Sequence, residues 1–475
     1  MTKKVKMVKK IQTLSLISEK KWRLVIDRYS QEPYTFANAQ KAFVMAYGSI
    51  LKGCTDSKAW RIWNGGYWEE IGKSVLHQLI QELYIRVYIP NATQMDQVYR
   101  WLIGMVELTA KEEEFDRPLL KVNCLNTTWS PEGCYKPQSS DMLTQQLAVA
   151  YKPERLKDLH KSKWFKFLHD TCTTSGGRFD VELYRYLQKT VGYTLYTRNT
   201  HQVIFFIHGV PDTGKTTFVE AIRGVFGPYA HTMDPRTLLA NRRQDERDGS
   251  KPAPDVAALR GKRLVVSSEV MKKGRLNSAF VKELTSNAPI TTRTLYRDLF
   301  TFTPQMEFWL TMNDLPSFNH TDEGIRKRVK VVPFQHIVGG TGHPPIDRGL
   351  RELFCADQFE QEVILAWVIR GLENYLKDKV LQEPECVVKA SNAYGESQCP
   401  LEAWFLDCCE KSNSSFTSNR KIEHSIKYWA EKSGSQYEIH FLLNTRERTA
   451  WMEKHGYTKA KKHQERGYYG FKVNG

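Results

Sequence analysis

At 475 residues the chain exceeds one ordinary domain, so roughly two to four folded units are expected. Its 41% hydrophobic and 26% charged content excludes disorder on the scale of a domain, and no apolar run approaches the ~20 residues of a membrane-spanning helix. Lys and Arg outnumber Asp and Glu by 69 to 53, a surplus of 16 positive charges that points to polyanions: nucleic acid, nucleotide phosphates or an anionic surface.

The nine cysteines form no CxxC pair and no zinc spacing, which reads as reduced thiols in a cytoplasmic protein, in the host cytoplasm if the chain is viral. Residues 1–13 form a basic arm with no apolar segment of a secretory signal behind it.

From 14 to 114 the pattern predicts a mixed α/β unit. Trp60 to Trp68 is rich in aromatics, and Asn64, Gly65 and Gly66 between aromatic flanks predict a hairpin turn. Val75, Leu79, Ile80, Leu83 and Val87 fall at helical spacing over 74–88. From 115 to 200 a helical region is expected, with Trp164–Leu168 and an amphipathic helix from Val181 stopped by Gly192 at its C′ position.

Between 201 and 338 short apolar runs alternate with helical stretches: Val203–Ile207, Leu264–Val266, Phe308–Leu310 and Val329–Val332. That alternation predicts an α/β core, a parallel sheet flanked by helices. Residues 339–395 read as a linker and helical segment. From 396 to 475, helices at Ala403–Cys409 and Lys421–Ala430 and a Gly/Tyr-rich end suit a small winged-helix-like unit that binds DNA or a partner.

The most specific signal is Gly209, Val210, Pro211, Asp212, Thr213, Gly214, Lys215, Thr216 and Thr217, a complete GxxxxGK[ST] phosphate loop between an apolar strand and a helix. Gly209 and Gly214 let the backbone curl so that its N–H groups meet phosphate oxygens, and the following helix adds its positive end. Lys215 is placed for the β- and γ-phosphates of ATP and Thr216 for Mg²⁺.

Glu269 closes the next apolar run, where a carboxylate can bind the metal through water and activate that water as a general base. Asn313 closes the third run, where a neutral amide can orient water without added charge. Arg326 and Arg328 precede the fourth run. Either can be an arginine finger reaching across a subunit boundary, with Arg328 preferred. Ile290–Tyr296 and Leu299–Thr303 read as a basic, aromatic-bearing hairpin carrying Arg293 and Arg297, suited to gripping a phosphate backbone.

The ordered series GVPDTGKTT, LRGKRLVVSSE, KELTSNAPITTRTLY, FTFTPQMEFWLTMNDLP and IRKRVKVVPF resembles the superfamily 3 helicases of the phage, plasmid and poxvirus primase–helicases, chiefly over 201–336. A weaker match upstream includes Arg117–Lys121, Val191–Tyr193 and the Trp63–Trp68 patch. The resemblance implies an AAA+-like ATPase core in a homo-hexameric ring that moves on single-stranded DNA. ATP would lie between neighbours, with Lys215, Thr216, Glu269 and Asn313 on one side and Arg328 on the other. It places Arg293 and Arg297 on a hairpin in the central channel with Lys282 nearby, gives 115–200 a collar role, and implies a primase or polymerase partner. Two departures stand out. Ala288 occupies a position that is often acidic in the family, and no carboxylate pair or zinc set marks a primase domain, so priming is not expected.

Two other functions share these residues. One is an ATPase that remodels or packages nucleic acid without unwinding it. The other is a replication initiator that binds origin duplex DNA through the basic, aromatic tail, where Lys427, Arg446, Lys459 and Lys461 lie among Trp429, Trp451 and Tyr457.

Overall fold

The computed structural model describes residues 17–474 apart from 89–91, 103, 119, 175, 241–252, 269–273, 294–298, 320–321, 340–346 and 434–438. Near the start, helices Glu19–Tyr29, Phe36–Tyr47, Lys73–Val87 and Ala92–Leu102 accompany strands β1 (Leu51–Cys54), β2 (Trp60–Trp63), β3 (Trp68–Ile71) and β4 (Thr109–Ala110), which form a sheet in the order β3-β2-β1-β4. The helix predicted over 74–88 buries Leu79, Ile80 and Leu83 of the expected stripe, but Leu76 and Tyr84 complete its buried face while Val75 and Val87 are only half-buried. The aromatic hairpin is present: Trp63 pairs with Trp68, and the Asn64 side chain accepts from the amides of Gly66 and Tyr67, both at 3.0 Å. Gly65 takes φ 96°, which a side chain would resist.

The 115–200 region is not wholly helical. Strands β5 (Val122–Asn123), β6 (Thr128–Ser130) and β7 (Gly133–Tyr135) form a small antiparallel sheet before helices Lys163–Thr171 and Val181–Tyr193. Gly192 does not end its helix, which runs through it to Tyr193. A Cβ on Gly192 would strike the backbone of Gly371 and Leu372 in the helix Gln358–Asp378, and one on Gly371 would strike the Gln188 carbonyl. The glycine permits two helices to cross closely; it does not turn the chain.

The centre is a five-stranded parallel sheet of β8 (Ile204–His208), β9 (Ala230–Thr232), β10 (Leu264–Ser268), β13 (Glu307–Met312) and β14 (Val329–Pro333), in the order β14-β8-β13-β10-β9. Its inner strands are apolar on both faces, as crossover helices demand: Phe205, Phe206 and Ile207 are all buried, and Phe205 stacks on Trp309 with centroids 4.5 Å apart. The expected hairpin is β11 (Ile290–Thr292) against β12 (Phe300–Phe302). One hydrophobic cluster runs from Val122 and Trp164 through the sheet to Trp367 and Val387, so the upstream helices share the core of the sheet.

Beyond it, helices Pro400–Cys408, Asn419–Ser433, Ile439–Leu443 and Thr445–Lys454 pack with strands β15 (Cys409–Ser418), β16 (Thr458–Lys462) and β17 (Glu465–Val473) in the order β15-β17-β16. Leu401, Trp404, Ile426, Met452 and Phe471 give this unit its own core. Among the described residues no helix is long and apolar enough to cross a membrane.

Candidate functional site

At the carboxyl end of β8 the chain leaves the sheet at His208 and turns through Gly209 to Gly214 into the helix Lys215–Phe226. Both glycines are required by their surroundings. A Cβ on Gly209 would collide with the Phe334 carbonyl, and Gly214, at φ 82°, lies against the Phe167 ring. Asp212 also takes a left-handed conformation, φ 61°, and its carbonyl accepts from Val338 N at 2.9 Å.

Lys215 is buried, 7% exposed, and its ammonium donates to the carbonyls of Gly209 and Val210 at 2.7 and 2.6 Å and to Thr213 Oγ1 at 3.3 Å. A cavity of about 870 Å³ opens over this loop, lined by residues 211–217, by Thr311, Met312 and Asn313 at the end of β13, and by two segments outside the motif. Helix Lys163–Thr171 contributes Lys166, Phe167 and Asp170, and the stretch after β14 contributes His336, Asp347 and Leu350. Sequence reasoning missed both walls. The aromatic cluster Trp164–Leu168 was the one visible trace of the first.

β8 and β13 are adjacent, which brings Asn313 beside the loop. His208 Nε2 lies 3.1 Å from the Asn313 carbonyl, so it reaches across the two strand ends. Burial lowers the pKa of the His208 imidazole; the Asn313 carbonyl opposes this and the nearby Lys215 ammonium reinforces it.

Lys215, Thr216, Thr217 and Asn313 are therefore brought together, while Glu269 and Arg297 lie outside the described residues. Arg328 stands at the amino end of β14, away from the loop, and donates to Thr285 Oγ1 at 3.1 Å, Gly324 O at 2.9 Å and Gln202 Oε1 at 2.6 Å. Arg326 lies 3.8 Å from Glu323 and packs on Gly395. Lys282 pairs with Asp322 at 2.7 Å. Arg293 follows β11, and its buried Nε has no hydrogen-bond partner among the described residues.

The fold defines a mixed α/β protein whose parallel sheet, flanked by helices, opens at its carboxyl edge onto a glycine-bearing loop and a buried lysine. Residues 40–173 match the family described as D5 N terminal like, and residues 207–328 match one described as a family of unknown function, DUF5906. The chain is 28% identical over 155 residues to "Putative helicase L207/L206" of Acanthamoeba polyphaga mimivirus, covering 33% of this chain and 16% of that protein. It is 27% identical over 171 residues to "Putative helicase 022R" of Frog virus 3, covering 34% and 17%, and 25% identical over 135 residues to "Putative helicase V13" of Sputnik virophage, covering 28% and 17%. The matched stretch thus spans about a sixth of each of these relatives. A solved structure titled as the apo C terminal region of NrS-1 aligns with 92% of this chain and 99% of its own, at 12% identity and TM-score 0.47. Over these stretches the chain is similar to the D5 N terminal like family and to viral proteins named as putative helicases.

Proposed function

We propose that the chain is an ATP-hydrolysing superfamily 3 DNA helicase with a P-loop, AAA+-like core, working as a hexameric ring on single-stranded DNA in the replication of a virus, phage or mobile element. The observation that carries this reading is the meeting of buried Lys215 and Asn313 at the carboxyl ends of adjacent strands, on a cavity of the volume that a nucleotide-sized ligand occupies. The sheet order supports it. The strand bearing the loop lies between the fourth and fifth strands of the sheet in chain order, so Asn313 on the fourth is its neighbour.

The residues present fit ATP and Mg²⁺, which would supply the phosphoanhydride bond and the cation that screens its charge. Lys215, now bonded to the neutral carbonyls of Gly209 and Val210, would hold charged phosphate oxygens by stronger hydrogen bonds. The Thr216 hydroxyl would hold Mg²⁺, and Glu269 would serve as general base. The Asn313 amide orients water, and His208, through the Asn313 carbonyl, is a positioning residue. Arg328, at the opposite end of the sheet, acts on a neighbour's nucleotide; Arg326 is the second candidate. Arg293, Arg297 and Lys282 serve the strand in the channel.

The test is strand displacement from a forked duplex by purified protein with ATP, alongside turnover stimulated by single-stranded DNA. Displacement is expected, and Lys215→Ala should abolish both, with turnover lower by about a hundredfold or more. Turnover with no displacement would sink the helicase and leave a remodelling or packaging ATPase. The exposed cations of the C-terminal unit favour a second role in the same chain, initiation at duplex origin DNA.

A further inference from the structure

The C-terminal unit ends in a hairpin whose charges are arranged against its own stability. β16 and β17 pair antiparallel, with Lys459 opposite Tyr468, Lys461 opposite Arg466 and Lys462 opposite Glu465. Residues directly opposite each other share a face and sit about 5 Å apart at Cβ, so Lys461 and Arg466 are like charges held side by side, a destabilising pair. Both are exposed, and beyond the strand pairing itself neither side chain has a hydrogen bond or ion pair to a partner among the described residues. The turn that fixes this register, His463 and Gln464, has φ 47° and 65°, the two-residue geometry that matches strand twist at some cost in non-glycine residues.

Alternation along the strands says where this pair points. Lys459 and Tyr468 lie on the same face one step nearer the base, and the Tyr468 hydroxyl is 2.9 Å from Thr449 Oγ1 of the helix Thr445–Lys454. Lys461 and Arg466 therefore continue past the helix on the side the hairpin turns towards it. Arg446, exposed, stands one helical turn before Thr449, and Glu453 one turn after it. Lys462 and Glu465 are on the opposite face.

We propose that this hairpin is a wing that holds the phosphate backbone of duplex DNA, with Lys461 and Arg466 sharing phosphate contacts beside the helix Thr445–Lys454. An anion between the two removes their mutual repulsion, so the cost carried by the free hairpin returns as binding. The rings of this unit point to duplex over single strand. Trp451, Tyr457 and Tyr468 are 9%, 7% and 2% exposed and belong to the core, so among the described residues these rings offer no stacking platform for unpaired bases on this face. The inference rests on the second role proposed above, binding of duplex DNA by the C-terminal unit, and names the residues that hold the duplex; it does not depend on ATP hydrolysis.

The test is fluorescence anisotropy of a labelled blunt DNA duplex bound by the full chain over a salt series, comparing the parent with the double variant Lys461→Ala, Arg466→Ala. Binding should weaken about tenfold and the slope of log affinity against log salt should become shallower by about 1 to 2. The melting temperature should hold or rise, because a repulsive pair is gone. Turnover stimulated by single-stranded DNA should be unchanged. Lys462→Ala, on the other face, should weaken duplex binding less than the double variant. A double variant with the parent's affinity and slope, a parent that ignores duplex, or a Lys462→Ala loss equal to that of the double variant overturns the wing. A parent with no turnover but with this pattern of duplex binding would refute the motor and leave the wing standing.

Discussion

The two ends of the central sheet use charge in opposite ways. At the carboxyl end, Lys215 and the Asn313 side chain border an open cavity. At the amino end, charged groups tie distant parts of the chain together, although Arg61, Glu112 and Arg260 also line a smaller cavity of about 400 Å³. Arg263, 2% exposed, donates to the carbonyls of Leu195 and Lys121, and Arg328 joins Gln202 to Thr285. Arg260, just before β10, pairs with Glu112, which also meets Arg61 of β2 at 3.4 Å. Groups that border the larger cavity, Lys215 among them although its own loop holds it, are candidates for chemistry, whereas groups that tie distant segments together are candidates for structure. Substitutions at the amino end should therefore cost stability and those at the carboxyl end activity.

The largest effect is expected at Glu112. Burial pushes its carboxyl pKa up, but Arg61, Arg260 and Ser57 outweigh that and hold it down to about 2. Glu112→Gln removes the carboxylate charge that Arg61 and Arg260 share, leaving Arg260 the backbone carbonyl at 112 and Arg61 only Glu70, at 3.9 Å, among the described residues. The substitution should cost about 3 kcal/mol at neutral pH, read as a lower urea midpoint. Because the folded value lies below the unfolded one, the stability from Glu112 is present above about pH 4.5 and fades as pH falls towards 2. Parent and variant should converge there, and equal midpoints at pH 7 would show that the triad ties nothing.

Arg328 tests the comparison most directly, since it belongs to the structural end yet is assigned a role at a neighbour's nucleotide. Arg328→Ala loses its bonds to Thr285, Gly324 and Gln202 and should cost about 2 kcal/mol of stability. If it also acts across a boundary, turnover should fall while nucleotide binding persists, and mixing Arg328→Ala with Lys215→Ala protein should restore part of it. A loss of stability with full turnover would confine Arg328 to structure and shift the assignment to Arg326.

What was legible in the sequence follows the same division. The inner strands were readable because burial on both faces forces continuous apolar runs, and the loop because its glycines answer to fixed neighbours, Phe334 and Phe167. β9, the edge strand Ala230–Thr232, carries no such run and was missed. Gly192 was misread because a glycine that ends a helix and one that admits a second helix look alike in one dimension. Lys166, Phe167 and Asp170 were missed because they join the cavity only through packing across the shared core. Nothing local to Lys282 revealed that Asp322 would hold it.

At the carboxyl end, Asn313→Ala should lower turnover about tenfold and leave the urea midpoint unchanged, since its side chain borders the cavity and its carbonyl, the partner of His208, is retained. A lower midpoint with unaltered turnover would reverse the assignment of that end.

The smallest effect sharpens the contrast from the structural side. Glu307 begins β13 fully buried, and burial lifts its pKa well above the ordinary carboxyl value, with a bond from Tyr193 pulling it back. A raised folded value means that the fold holds a proton the unfolded chain releases. The stabilising contribution is therefore complete below about pH 4.5 and is lost as pH rises. Glu307→Gln, neutral at every pH and nearly the same shape, should be more stable than the parent at pH 7 by under about 1 kcal/mol, because the new amide must itself find partners. That advantage should vanish as pH approaches 4.5. An advantage that stays constant with pH would mean that Glu307 is ionised in the fold, and the amino end would then hold a charge that its own chain leaves unsatisfied.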